Sequence, residues 1–285
     1  MMEHRPHEFD PATLPNKEQQ TPKSPRMEKR SLRARSKIPT VDQSVLDKPK
    51  CIKILSLNCY LVSDLALSAH ERQFCCDKQE RAQKIGKFAA QHDVIALQEV
   101  WGDSLWPLER ELIESHERAF NTYTYSSSLL NVASLWWKGT GGLWLGAQRS
   151  VLPILTARRV QFKHSQTRSG KGSSYMLLDA KVMWGEESYL LMIDTHLDPT
   201  NEGHSQEIQL RELVQFIGEA LREIRSVIGS FNKVAILLCG DFNIDGKFKG
   251  QHELITTGLG NGVRDLGLEW ATSQNQSLET TYGGN

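Results

Sequence analysis

Beyond residue 50 the chain alternates short apolar runs, rich in Ile, Val and Leu, with longer stretches whose apolar residues recur three or four apart. Runs of strand length fall at residues 51–59, 94–98, 143–147, 176–184, 189–196 and 234–239. Helical spacing covers residues 71–91, 104–119 and 205–228. The last is the clearest. Leu210, Leu213, Ile217, Leu221, Ile224 and Ile228 form one apolar stripe, while Glu212, Glu219, Arg222 and Arg225 face water. Strands alternating with amphipathic helices predict an α/β domain over residues 49–285, without an internal repeat.

The first 48 residues carry no such pattern. Lys23, Arg26, Lys29, Arg30, Arg33, Arg35 and Lys37 surround a single acid, Glu28, among prolines and few apolar residues. Such a segment buries too little surface to offset its ordering entropy, so residues 1–48 are expected to be a disordered basic tail. The tail changes the meaning of the charge balance. Lys+Arg and Asp+Glu are equal at 34 each, but residues 1–50 hold 11 basic against 7 acidic residues, leaving 23 against 27 in the remainder. It also removes the room for a second domain, since about 235 residues make one α/β unit. With 39% hydrophobic and 24% charged residues, the composition excludes a collagen-like, fibrous or wholly disordered chain.

No apolar run approaches bilayer length, and the early acids Glu3, Glu8 and Asp10 fit neither a secretory signal nor a mitochondrial presequence. Five cysteines give neither a disulfide framework nor a zinc-ligand spacing. This usage points to a reducing compartment, cytoplasmic or peripheral to a membrane.

The residues that close the strands are more informative. Four strands end in polar residues: Asn58, Gln98 with Glu99, His196, and Asp241 with Asn243. Strand ends are where α/β enzymes place their sites. Asp241 and Asn243 are two apart and share a side if that stretch is extended. Each residue also has a bland explanation. Asn58 suits a turn, Glu99 a solvated loop, and His196 a core histidine partnered by Asp194 or Asp198; Gly240–Asn243 suits an Asx turn. As a set they have hard oxygen donors for Mg²⁺, which takes one or two protein carboxylates and leaves other positions to water and phosphate; Glu99 suits that role. Thiolate clusters and paired helical histidines, which zinc would favour, are missing from the sequence. An acid, amides and a histidine around one Mg²⁺ would serve phosphoester hydrolysis.

Taken in order, LSLN (55–58), LQEVW (97–101), GGLWLGAQRSVLPI (141–154), THL (195–197) and GDFN (240–243) resemble the motifs of the endonuclease/exonuclease/phosphatase superfamily. The resemblance covers about residues 50–285 and is specific through the order of five motifs. Within the superfamily the chain is most similar to neutral sphingomyelinases and sphingomyelinase C. Leu57-Asn58-Cys59-Tyr60, Glu99-Val100-Trp101 and Lys171-Gly172 look like that subgroup's segments, as do Gln209 and Glu212-Leu213. Gln206 stands where the subgroup usually has arginine. Walker A chemistry is excluded for SGKGS, since glycine succeeds Lys171 and Ser165 occupies the required upstream glycine position.

The resemblance implies a DNase I-like four-layer sandwich: two packed mixed sheets flanked by helices. It implies a Mg²⁺-dependent phosphodiesterase, with Mn²⁺ as a substitute, that releases phosphocholine from sphingomyelin or a related phospholipid at a membrane surface. Glu99 would ligate the metal and Asn58 would fix that ligand or the phosphate. His196 and Lys171 would contact the phosphate, while Asp241 and Asn243 would orient the attacking water or stabilise the transition state. A nuclease or other phosphatase of the superfamily, with nucleic acid as substrate, is the nearest alternative. The family's closing Ser-Asp-His motif has no counterpart after Thr280-Thr281-Tyr282. An incomplete C-terminus is therefore expected, and with it a third alternative, a catalytically silent binding protein.

Overall fold

Among the described residues, eight strands form two four-stranded mixed sheets. The first holds β1 (Ile54–Leu61), β2 (Val94–Val100), β3 (His116–Arg118) and β4 (Trp144–Gln148), in the order β1-β2-β4-β3. The second holds β5 (Ile154–Gln161), β6 (Gly172–Asp179), β7 (Tyr189–His196) and β8 (Val234–Asp241), in that order. β1 pairs with β2 and β7 with β8 in parallel, and every other pairing is antiparallel. The helices are α1 (Lys78–Ala89), α2 (Leu105–Arg110), α3 (Lys181–Trp184) and α4 (His204–Ile228). This computed structural model describes residues 51–62, 77–120, 142–165, 170–199, 204–229 and 234–244, with isolated positions from 253 to 262. All lie in one compact unit, Ala34–Asn285. The basic tail, the loop at 123–137 and residues 280–282 lie outside the described residues.

The period-two rule of a strand produces the layers. On β2, Val94 and Ala96 join Met176, Leu178, Leu190 and Met192 in a cluster between the sheets. Their neighbours Ile95 and Leu97 pack outward on Ala82 and Ala89 of α1 and on Leu105 and Leu108 of α2. In the second sheet, Tyr175, Leu177, Leu191 and Ile193 face Leu210, Leu213, Phe216 and Ile217 of α4. Both faces of the central strands are thus buried, which is why they read as continuous apolar runs. The result is the expected helix–sheet–sheet–helix sandwich.

The strand at 189–196 and the helix at 205–228 form within one residue of their expected bounds, and β2 and β8 run two residues further than expected. Part of the expected helix at 71–91 falls outside the described residues; the described helix begins at Lys78. The strand expected at 51–59 is β1, shifted to Ile54–Leu61, and three further segments differ. Residues 104–119 hold, after a 3-10 turn at Gly102–Ser104, only the six-residue α2 and then the strand β3. Here pairing of β3 with β4 overrides helical spacing, and the buried His116 ring is held by His92 O at 2.7 Å and Ser115 Oγ at 2.8 Å. The strand expected at 176–184 is β6, shifted to start at Gly172; residues 181–184 coil into α3. Its first half escapes a hydrophobicity pattern because Ser173 and Ser174 are buried, with Ser173 Oγ donating to Asp194 O at 2.8 Å. β5 has no apolar signature because Arg158 and Arg159 interrupt it; Arg158 reaches Glu219 and Glu223 of α4 and stacks over Phe216.

Candidate active site

The interior between the sheets is apolar at one end and becomes polar at the other. Along β7 the inward positions are Leu190, Met192, Asp194 and His196, and along β2 they are Val94, Ala96 and Gln98. Two hydrogen bonds cross between the sheets there. Gln98 Nε2 donates to Asp194 Oδ1 at 2.7 Å, and Asn58 Nδ2 donates to Asp241 Oδ2 at 2.7 Å. The C-terminal ends of the two parallel pairs therefore meet, each contributing strand-end residues to a common cluster. β6 runs antiparallel to β7, so Gly172 pairs with His196 and Lys171 arrives beside the histidine. Lys171 Nζ lies 2.7 Å from His196 Nε2, and both residues are buried. A charged lysine only donates, which assigns His196 Nε2 as the acceptor of that contact. Asp241 Oδ2 lies 3.6 Å from the same ring nitrogen.

Glu99 reaches the cluster by breaking the alternation. Its parity matches Ile95 and Leu97, which face the helices, but its backbone is left-handed at φ 57°. The β1–β2 register shifts between Asn58 and Leu61, where Tyr60 is also left-handed at φ 49°. Non-glycine residues in this region cost on the order of 1–3 kcal/mol each, and such strain collects at functional sites. Gly142 lies against the bend: a Cβ there would sit 2.8 Å from Val100 N and 2.9 Å from Glu99 Cα. Glu99 Oε1 lies 3.7 Å from His196 Nε2 and 3.8 Å from Lys171 Nζ. Glu99 Oε2 is buried without a protein partner among the described residues.

Burial dominates the protonation of this cluster. It pushes the Glu99 carboxyl above its ordinary value; Lys171 opposes the rise and Asp241 adds to it. It lowers the Lys171 ammonium, against the pull of Glu99, Asp241 and Asp198. It raises the fully buried Asp194 well above its ordinary value, although Gln98 and the Thr195 backbone donate to it. Burial of a charge in low dielectric has these signs for an acid and a base.

Asn58, Glu99, Lys171, His196 and Asp241 are therefore brought together. Asn243 is close, but not as its spacing suggested. β8 ends at Asp241 and Asn243 is left-handed at φ 49°, so the two side chains do not share a side. The Asn243 side chain donates to Leu197 O at 2.7 Å and its N–H donates to Asp241 Oδ1 at 2.9 Å. It holds Asp241 in place.

Sequence reasoning named Asp198, Gln206 and Gln209 separately but did not join them, with Ser165 and Ser205, into the buried set behind these residues. Asp198 accepts from Ser165 Oγ, Ser205 Oγ and Gln209 Nε2, at 3.1, 3.1 and 2.8 Å. Gln206 Nε2 donates to Asp198 O at 3.0 Å and to Asn243 O at 2.7 Å. The signal was available: Ser205, Gln206 and Gln209 are polar at the helical positions that continue the apolar stripe of α4.

Among the described residues, no group of three or more His, Cys, Asp or Glu side chains is close enough to hold a metal ion. The donors present nevertheless fit Mg²⁺, which needs only one or two carboxylates. Glu99 offers a buried oxygen with no protein partner among the described residues, next to the Asn58 amide.

No protein-family model matches the chain, and no curated protein matches its sequence. Solved structures do match. A β-hairpin deletion mutant of beta toxin from Staphylococcus aureus superposes with a TM-score of 0.52 at 16% identity, covering 73% of this chain and 72% of the toxin chain. A second beta toxin crystal structure gives 0.51 at 16% identity, covering 73% and 71%. This is the DNase I-like fold. A humanized D. rerio TDP2 matches less well, at TM-score 0.47 and 16% identity over 73% of this chain and 71% of that one. At these identities the likeness carries the DNase I-like architecture alone; the site's chemistry must come from its own residues.

Proposed function

We propose that this chain is a Mg²⁺-dependent phosphoric diester hydrolase that releases phosphocholine from sphingomyelin, leaving ceramide. The observation that carries the reading is the convergence of Asn58, Glu99, Lys171, His196 and Asp241 from five different strands or their flanks, without a thiolate or serine nucleophile among them. Such a set holds a phosphate and a metal and activates water rather than forming a covalent enzyme intermediate. The choice of sphingomyelin rests on the sequence resemblance of the Asn-x-aromatic, Glu-Val-Trp and Lys-Gly segments.

When bound, Mg²⁺, or Mn²⁺ in its place, polarises the phosphoryl oxygens and offsets the charge that grows on them. Glu99 and Asn58 would hold it. Lys171 and His196 would donate to the non-bridging oxygens. Asp241, fixed by Asn58 and Asn243, would accept a hydrogen bond from the attacking water and aim its lone pair at phosphorus.

The test is a substrate panel for the full chain with Mg²⁺: sphingomyelin vesicles, phosphatidylcholine vesicles and supercoiled plasmid. Phosphocholine release from sphingomyelin, abolished by EDTA and restored by Mg²⁺, is expected. Plasmid nicking without headgroup release would transfer the same site to a nuclease.

A further inference from the structure

The fold closes its cluster with a residue outside it. Gln206, in the first turns of α4, is fully buried and its Nε2 is forked between two backbone carbonyls. One belongs to Asp198 in the segment after β7, and the other to Asn243 in the segment after β8. Those segments follow directly on His196 and Asp241, the last residues of β7 and β8. Two further bonds bind them together: Leu197 N–H donates to Asp241 O at 2.9 Å and Asn243 Nδ2 to Leu197 O at 2.7 Å, while Asn243 N–H donates to Asp241 Oδ1 at 2.9 Å within the second segment. Asp198 is pinned independently, because Gln209 Oε1 accepts its N–H at 2.9 Å while Gln209 Nε2 and Ser205 Oγ donate to its carboxylate.

From this we infer that Gln206 is a positioning residue: its forked amide locks Asn243 so that Asn243 holds the Asp241 carboxylate against His196 and Asn58. The left-handed Asn243 is the piece that needs locking, since its φ of 49° is strained for a residue with a side chain. Without the Gln206 bond, Asn243 can relax out of that conformation and withdraw its N–H from Asp241. The Oε1 of Gln206 is buried with no partner among the described residues, so the position is occupied for its donor and not for its acceptor. Gln209 and Ser205 bond to Asp198 and not to Asn243, whereas Gln206 joins both segments to the helix.

The inference rests on the proposed hydrolase reading for its kinetic consequence, but not for its structural one. Gln206→Met keeps length and packing and removes the donor; Gln206→Glu keeps the shape and offers a second substitution should the first not fold. Ser205→Ala, which touches Asp198 but not Asn243, is the control. In the full chain with Mg²⁺ and sphingomyelin vesicles, loss of the Gln206 donor lowers kcat about 10- to 100-fold with KM changed less than about twofold. Hydrogen exchange rises at residues 241–244 and stays unchanged in β6 and β7. Ser205→Ala leaves kcat within about threefold of the parent, since it removes one bond to a carboxylate that keeps two other donors. Unchanged kcat with unchanged exchange at residues 241–244 overturns the inference. So does a uniform rise in exchange through β7 and β8 with kcat and KM both altered, which marks Gln206 as a general packing residue. If the parent chain hydrolyses nothing, the hydrolase reading fails while the exchange data still decide the lock.

Discussion

At the residue scale, the carboxylates of this protein divide by burial and partner. Glu99 keeps one buried oxygen without a partner among the described residues and lies close to both Lys171 and His196. Metal binding needs its ionised form, and its raised proton affinity moves the loss of binding to higher pH than an ordinary glutamate would show. Mg²⁺ affinity, measured by titration calorimetry from pH 8 down to pH 5, is expected to fall across that window in the parent chain. Asp194 behaves differently. It is fully buried beneath the site and its folded proton affinity lies well above the ordinary value of 3.8. The folded chain therefore retains a proton that the unfolded chain releases, and the stability linked to it is complete below that ordinary value and lost as pH rises toward the folded one. Asp194→Asn keeps an acceptor for Gln98 and removes the titration. Its melting temperature should exceed the parent's at pH 8 and converge with it near pH 4; a constant difference across that range would mean that Asp194 is not the linked group.

At the element scale, the strand-end placement of His196 and Asp241 was legible because an apolar run that stops at a polar residue marks its own end, whereas Asn58 lies inside β1, where the register with β2 begins to shift. The path of Glu99 was not, because strand alternation points it toward the helices and only the left-handed turn redirects it. Asn243 departs from its expected side for the same reason: its two-residue spacing from Asp241 means one face only while the backbone stays extended. The serine-rich start of β6 and the arginines of β5 hid two strand segments whose polar side chains are satisfied by other elements. Gly142 gives a direct check on the bend. With φ at 67° and Glu99 Cα within 2.9 Å of any added Cβ, Gly142→Ala must move the β2 end. A destabilisation of about 2 kcal/mol or more in urea unfolding is expected, with a loss of Mg²⁺ affinity. Unfolding at the parent's midpoint with unchanged affinity would show that the bend does not depend on this glycine.

At the scale of the whole molecule, the sandwich is a device for juxtaposing two parallel strand pairs across an apolar interior that turns polar at one end. The α/β class was readable from alternation and amphipathic spacing, because both faces of β2, β6 and β7 are covered, whereas the four layers were implied only by the resemblance of the motifs. The neutral total charge divides into a basic first 50 residues and an acidic remainder. We propose that the basic segment binds anionic lipid, at on the order of 1 kcal/mol per Lys or Arg near the surface. Removing residues 1–48 is then expected to weaken binding to vesicles containing phosphatidylserine by at least about tenfold, while hydrolysis of detergent-dispersed substrate is unchanged; equal vesicle binding would remove the segment's role. The central claim is that Glu99, delivered by a strained strand end, makes the cluster a metal-dependent phosphodiester hydrolase. It is tested most directly by phosphocholine release from sphingomyelin vesicles with Mg²⁺, comparing the full chain with Glu99→Ala. The account predicts release by the parent and a loss of at least about 100-fold in the variant; equal release by both would contradict it.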